Sequence, residues 1–189
     1  MERVILSLGS NLGDRFGNLD LALAMVAERL LASGEKIVCS DVFETEALVS
    51  SGDSSGSKPD YLNFVVAFET KSSAAELLKK CLEIENEVGR NRETEIGVYD
   101  SRLIDIDIVF FGEESIKTKN LEVPHPRFHL RRFVLIPLMQ IAQEFRHPGV
   151  GKSVEELFNE LEDPLQVKLF QEADSFSLAA KKLEARSGR

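Results

Sequence analysis

Between Arg102 and Gly112 the chain reads RLIDIDIVFFG, and the alternation in that stretch constrains the fold more than any other feature. Successive side chains of a strand point to opposite faces. Ile104, Ile106 and Ile108 therefore share one face, and Asp105 and Asp107 share the other. Such a strand needs a packed layer on one side and a polar space on the other. The two carboxylates stand roughly 6.5–7 Å apart along the strand. They repel unless a proton or a cation intervenes. Two readings stay open at this point. The acids are the wet face of a half-buried sheet, or they hold a hard cation such as Mg²⁺, which favours oxygen ligands and leaves room for water and phosphate.

The pattern on either side of this strand sets the architecture. Arg3–Leu8 is a short apolar strand that stops at Gly9-Ser10-Asn11. From Asn18, Leu19, Leu23, Val26 and Leu30 recur at helical steps until Gly34. Lys36–Thr45 and Tyr61–Thr70 read as two strands of a hairpin joined by a long Ser/Gly-rich loop. Ser73-Ala-Ala-Glu76 is a capping box before a helix with Leu77, Cys81, Ile84 and Val88 on one face, closed by Gly89. A second polar loop leads to the aspartate strand. The order β-α-β-β-α-β predicts a ferredoxin-like α+β fold: an antiparallel sheet with helices on one face and the other face available. Beyond Gly112 the pattern predicts a C-terminal extension, with a small hairpin up to Val123, a helix from Phe133 despite Pro137, and a capped helix after Ser153. One domain over 1–173 is expected, with 174–189 as a fraying tail.

Composition narrows the function. The chain has 189 residues and is 43% apolar, enough for one real core. Its net charge of -9 argues against a general nucleic-acid partner, which calls for excess basic residues. No apolar run approaches the ~20 residues that cross a bilayer, so no membrane partner is expected. Cys39 and Cys81 lie in apolar patterns and make no disulfide framework, which suits a cytoplasmic protein. A monomer or weak homodimer is expected.

Arginines cluster around the aspartates in sequence. Arg102 lies just upstream, Arg90 and Arg92 stand in the adjoining loop, and Arg127, Arg131 and Arg132 follow. Guanidinium groups fork onto phosphate oxygens. Acids for a metal beside arginines for phosphate suit nucleotide-dependent transfer, and such a reading implies small-molecule substrates. Two other motifs carry no weight. HPGVGKS ends like a P-loop, but Arg146 occupies the position of its first glycine. His125 and His129 stand four apart without the Glu of a zinc helix, and Pro126 lies between them.

Taken together, LSLGSNLGDR, DYLNFVVAFET, IENEVGR, RLIDIDIVFFG and VPHPRFHLRRFVLIPL, in this order and spacing, resemble the 6-hydroxymethyl-7,8-dihydropterin pyrophosphokinase family of folate biosynthesis. The resemblance runs from Leu6 to about Phe158. It implies transfer of the terminal pyrophosphoryl group of ATP to the pterin hydroxymethyl oxygen, release of AMP, and use of two Mg²⁺ ions. By the resemblance Asp105 and Asp107 hold both metals. Arg90, Arg92, Arg102 and Arg131 face phosphates, Arg90 and Arg92 among the catalytic groups. His125 and Glu85 lie on the nucleotide side. Tyr61 and Phe133 sandwich the pterin, Asn63 bonds its edge, and Thr45 and Leu48 assist. Residues 50–60 and 91–101 then read as lids over a site that must exclude water. Two departures stand out: Tyr99 where the family often has tryptophan, and Glu46-Ala47 where it often has Glu-Pro. The rival functions are a ferredoxin-like ligand-sensing module and a different two-metal nucleotidyltransferase, which releases pyrophosphate instead of AMP.

Overall fold

The structure is a computed structural model that describes residues 1–47, 59–90 and 101–177. Leu48, Arg92, Tyr99 and most of both expected lids lie outside the described residues. The elements run β1 (Glu2–Ser10), α1 (Arg15–Arg29), β2 (Val38–Cys39), β3 (Val42–Thr45), β4 (Tyr61–Thr70), α2 (Ala74–Val88), β5 (Asp105–Phe111), β6 (Ile116–Lys117), β7 (Glu122–Val123), α3 (Arg132–Ala142), α4 (Val154–Asn159) and β8 (Val167–Gln171).

Local chemistry explains most boundaries. The Ser73 hydroxyl accepts from the Glu76 N–H, and the Glu76 carboxylate accepts from the Ser73 N–H at 2.8 Å, which closes the expected capping box of α2. Gly89 ends that helix at φ +111°, a left-handed conformation that a side chain disfavours. Asp14 caps α1, so the helix starts earlier than the apolar period suggested, and it ends at Arg29, before Gly34. The expected strand over 36–45 is broken at Ser40. The hydroxyl of Ser40 accepts the Val65 N–H at 2.9 Å, a bond that a continuous strand would make with its backbone.

The main sheet has the order β5-β1-β4-β3-β8, with β2 also on β4, and all its pairs are antiparallel. The first four strands reproduce the ferredoxin-like order. β8 adds an edge strand that the sequence reading lacked. Its residues are mostly exposed, Leu169 to 58%, so no burial pattern announces it; backbone pairing with β3 makes it.

α1 and α2 cover one face, over Val4, Leu6, Leu8, Phe64, Val66, Ile106 and Ile108. The other face is not available along its full length. α3 and α4 pack on Ile5, Val65, Ala67, Val109 and Phe110. Each central strand then changes character along that face. β1 passes from Ile5 through Ser7 to Gly9, β4 from Ala67 through Val65 to Asn63, and β5 from Phe110 to Asp107 and Asp105. The register aligns these changes: Ile5 lies opposite Ala67 and Phe110, whereas Gly9 lies opposite Asn63 and Asp105. A polar end is thereby left beside α3. The hairpin of β6 and β7 forms as expected.

The tail boundary needs correction. Phe176 is buried, its ring stacked on Phe16 at 5.5 Å and tilted against Phe64 at 4.6 Å, and the Ser177 N–H donates to Asp20 at 2.7 Å. Apolar burial holds the chain through Ser177; 178–189 lie outside the described residues. Phe176→Ala should therefore cost about 3 kcal/mol in a urea titration. A loss under about 1 kcal/mol would mean that the terminal segment is not part of the core.

Candidate active site

The polar end of the sheet opens into a cavity of about 490 Å³ between the sheet, α2 and the start of α3. Every described residue given a site role by the resemblance lines it: Thr45, Tyr61, Asn63, Glu85, Arg90, Arg102, Asp105, Asp107, His125, Arg131 and Phe133. Arg132, of the arginine cluster, does not; its side chain donates to the Asp163 carbonyl at 2.9 Å. His129 does not, and Leu48 and Arg92 fall outside the described residues.

One wall is built on charge. Arg90, just past the C-cap of α2, is buried and bridges two acids, 2.9 Å from Glu85 and 2.6 Å from Asp105. The same Glu85 oxygen accepts the Ile106 N–H at 2.7 Å, which ties α2 to β5. Glu85 is almost fully buried, so it acts on this wall chiefly by holding Arg90. Arg102 pairs with the second oxygen of Asp105 at 3.0 Å. Burial pushes the Asp105 carboxyl up, but Arg102 and Arg90 together outweigh it and hold the group below the usual carboxylate range.

Asp107 is in the opposite condition. Burial, and then repulsion from Asp105, push its pKa up to about 7, against the attraction of Arg131. The Arg131 guanidinium stands 3.9 Å away and lies over the Phe133 ring at 5.4 Å. His125 Nε2 is 3.8 Å from Asp107. Its Nδ1 accepts the Arg127 N–H at 3.2 Å, which leaves the proton of the neutral ring on Nε2, facing Asp107. Burial, then Arg131 and Arg127, lower the imidazole pKa to about 4, so the ring is neutral at pH 7.

These residues fit a divalent cation. Asp107 sits where a positive charge is in demand, and each oxygen of Asp105 has a lone pair beyond its arginine bond. Among the described residues no group of three or more His, Cys, Asp and Glu side chains could hold a metal. The two carboxylates alone suit a cation that arrives with phosphate oxygens and water, as Mg²⁺ does.

The other wall, apart from Glu46, is neutral. The Asn63 amide donates to the Thr45 hydroxyl at 2.8 Å, and both residues are buried. Gly9 is a residue that the sequence reading missed as part of the site. A Cβ there would stand 2.8 Å from Asn63 Oδ1, so only glycine lets the amide lie against β1. The signal was present in the alternation Ile5, Ser7, Gly9 on the face shared with Asn63. Arg127, part of the arginine cluster in sequence, also lines the cavity; Asn120, Leu78 and Leu82 line it without a role read from the sequence, the last two an apolar pair at helical spacing on α2.

The topology and this divided cavity define the class: a ferredoxin-like α+β protein with a polar pocket at one end of its sheet. The same fold occurs in the solved HPPK-DHPS structures of Plasmodium falciparum, one at TM-score 0.63 and 16% identity, covering 84% of this chain and 41% of that one. This chain thus spans under half the length of those longer proteins. The sequence signature of the 7,8-dihydro-6-hydroxymethylpterin-pyrophosphokinase (HPPK) family matches residues 5–143, and the chain belongs to that enzyme family. The 2-amino-4-hydroxy-6-hydroxymethyldihydropteridine pyrophosphokinase of Bacillus subtilis is 37% identical over 139 residues, 74% of this chain and 77% of that protein. The protein of the same name from Aquifex aeolicus is 38% identical over 156 residues, 82% of this chain and 90% of its own. The sensing-module and nucleotidyltransferase readings are not favoured by this kinship. No helix among the described residues is long and apolar enough to cross a membrane.

The charge on Asp107 gives a test that needs no substrate. A carboxyl whose pKa rises on folding supports stability most in acid, and loses that support as pH climbs from its ordinary 3.8 through about 7. Asp107→Asn removes the penalty. In metal-free buffer it should melt above the wild type at pH 8 and by a much smaller margin at pH 4.5. Parallel melting curves at both pH values would show that Asp107 is not perturbed.

Proposed function

We propose that the chain transfers the pyrophosphoryl group of ATP to the hydroxymethyl oxygen of 6-hydroxymethyl-7,8-dihydropterin, as a step in folate biosynthesis. The hydroxymethyl oxygen forms a bond to the β-phosphorus, the bond from that phosphorus to the α,β-bridging oxygen breaks, AMP leaves, and the hydroxyl proton is lost. One observation carries the reading. A single cavity joins an acid–arginine wall suited to phosphates with a neutral wall of Asn63, Thr45, Tyr61 and Phe133 suited to a flat heterocycle.

Each wall has a physical task. Tyr61 and Phe133 offer aromatic faces to the pterin, worth about 0.5–1.5 kcal/mol per stacked pair beyond burial. Asn63, pinned by Thr45 and given room by Gly9, presents an amide edge to the ring's own amide. On the other wall Arg102 and Arg131 bind phosphate oxygens, with Arg92 joining them by the resemblance. Arg90, locked by Glu85, holds the position of Asp105. The neutral His125 donates from Nε2 to a phosphate oxygen. Asp105 and Asp107 are the groups that would hold two Mg²⁺ ions, and when bound these would supply charge relief on the triphosphate and alignment of the attacking oxygen. Pre-aimed charge of this kind lowers the barrier without reorganisation during the reaction.

Incubation with ATP, Mg²⁺ and hydroxymethyldihydropterin should give AMP in step with pterin pyrophosphate. Release of ADP or of inorganic pyrophosphate would overturn the reading. Gly9→Ala should raise KM for the pterin about tenfold, the scale of one disturbed buried hydrogen bond, with KM for ATP nearly unchanged. Equal effects on both substrates would count against the place given to Asn63.

A further inference from the structure

We infer that Asn11 is a positioning residue for Arg102, and that through it the two walls of the cavity keep their spacing. What Arg102 does rests on the pyrophosphokinase reading; how Asn11 reaches it rests on geometry alone. Asn11 follows the last residue of β1 and is 1% exposed. It grips the backbone of Arg102 from both sides. The Arg102 N–H donates to Asn11 Oδ1 at 2.7 Å, and the Arg102 carbonyl accepts the Asn11 N–H at 3.1 Å. The side-chain amide nitrogen then donates to Ser101 Oγ at 3.1 Å and to the Pro59 carbonyl at 3.2 Å. The amide thus uses its oxygen and both its protons.

Those partners place Asn11 between the walls. Arg102 enters the phosphate wall through its 3.0 Å pair with Asp105. Pro59 stands two residues before Tyr61, where the heterocycle wall begins. A second tie, from Arg15 Nη1 to the Asp60 carbonyl at 2.8 Å, fixes the same approach. The turn after β1 does not itself need Asn11. Asn18 Nδ2 donates to the Leu12 carbonyl at 2.9 Å and the Asp14 carboxylate accepts from Gly17 at 3.0 Å, so local residues already close that turn. The side-chain bonds of Asn11 go instead to segments 48, 90 and 91 residues away in sequence. A buried amide spent wholly on distant backbone and hydroxyl groups fixes relative position, and at a catalytic wall small displacements are costly.

The test is a double-mutant cycle of Asn11→Ala, Arg102→Ala and the two combined. It is read in ATP affinity with Mg²⁺ by calorimetry and in kcat/KM for AMP formation, well below the lowest melting temperature of the four proteins. Asn11→Ala should weaken ATP binding and kcat/KM by about tenfold in the wild-type background and less than about twofold when Arg102 is already alanine. An equal loss in both backgrounds would overturn the inference, because a general weakening of the fold does not depend on Arg102. If Asn11→Ala is not recovered folded, Asn11→Ser takes its place in the cycle with the same two outcomes. A wild-type protein that binds ATP but forms no AMP would defeat the pyrophosphokinase reading, while the cycle in ATP affinity would still decide the role of Asn11.

Discussion

The junction of Glu85, Arg90 and Asp105 is the interaction on which the rest of the site depends. It is a buried ion cluster at the meeting of α2 and β5. Taking such charges out of water is expensive, and the cluster holds only because each group finds partners. Glu85 takes one bond from Arg90 and one from the Ile106 N–H, and Arg90 reaches Asp105. Removing one member of a buried pair commonly costs about 3–5 kcal/mol, since the partner is left charged and alone. The cluster therefore ties the end of a helix to the start of a strand at one fixed distance. It also keeps Asp105 ionised, and this fixes the contrast with Asp107. Two carboxylates of the same strand face end up with different proton affinities because arginines reach only one of them closely.

That asymmetry is what a divided cavity can use. The charged wall is laid out along β5 and the segment after it, and the neutral wall along β4 and β3 with the first turn of α3 opposite. The central strand β1 runs between them and contributes only small groups, Ser7 and Gly9, to the floor. Bulk on β1 would push the walls apart. The helices that cover the far part of the same face serve the site by stopping where they do, so that apolar packing ends and the cavity begins on the same rung of the sheet.

Much of this was legible in the residues. The alternation of aspartate and isoleucine placed both acids on one face, and the capping boxes Ser73–Glu76 and Ser153–Glu156 fixed the starts of α2 and α4, because those signals are local. The order of elements was enough for the ferredoxin-like topology. What escaped depends on contacts distant in sequence. β8 has no buried face and is made by pairing with β3. The place of Phe176 in the core depends on Phe16 and Phe64, far away in the chain. α3 and α4 cover part of a face that looked open, since nothing in their own sequence says which surface they meet. Glu85 was read on the nucleotide side; it lines the cavity there, and its buried carboxylate meets Arg90, a partner that its own sequence does not name. Within the site, residue types were readable and partners were not: Gly9 mattered through Asn63, and Asn11 through Arg102.

The paired acids also have a consequence for folding. In an antiparallel sheet a slip of one residue turns every side chain to the opposite face. If β5 slipped so against β1, Asp105 and Asp107 would be driven into the layer of α1 and α2, while Ile106 and Ile108 would turn to the polar end. Neighbouring registers of this outer strand are thus barred by the cost of dehydrating two carboxylates with no arginine to meet them. The two acids proposed for metal binding double as the proofreaders of the chain's own alignment.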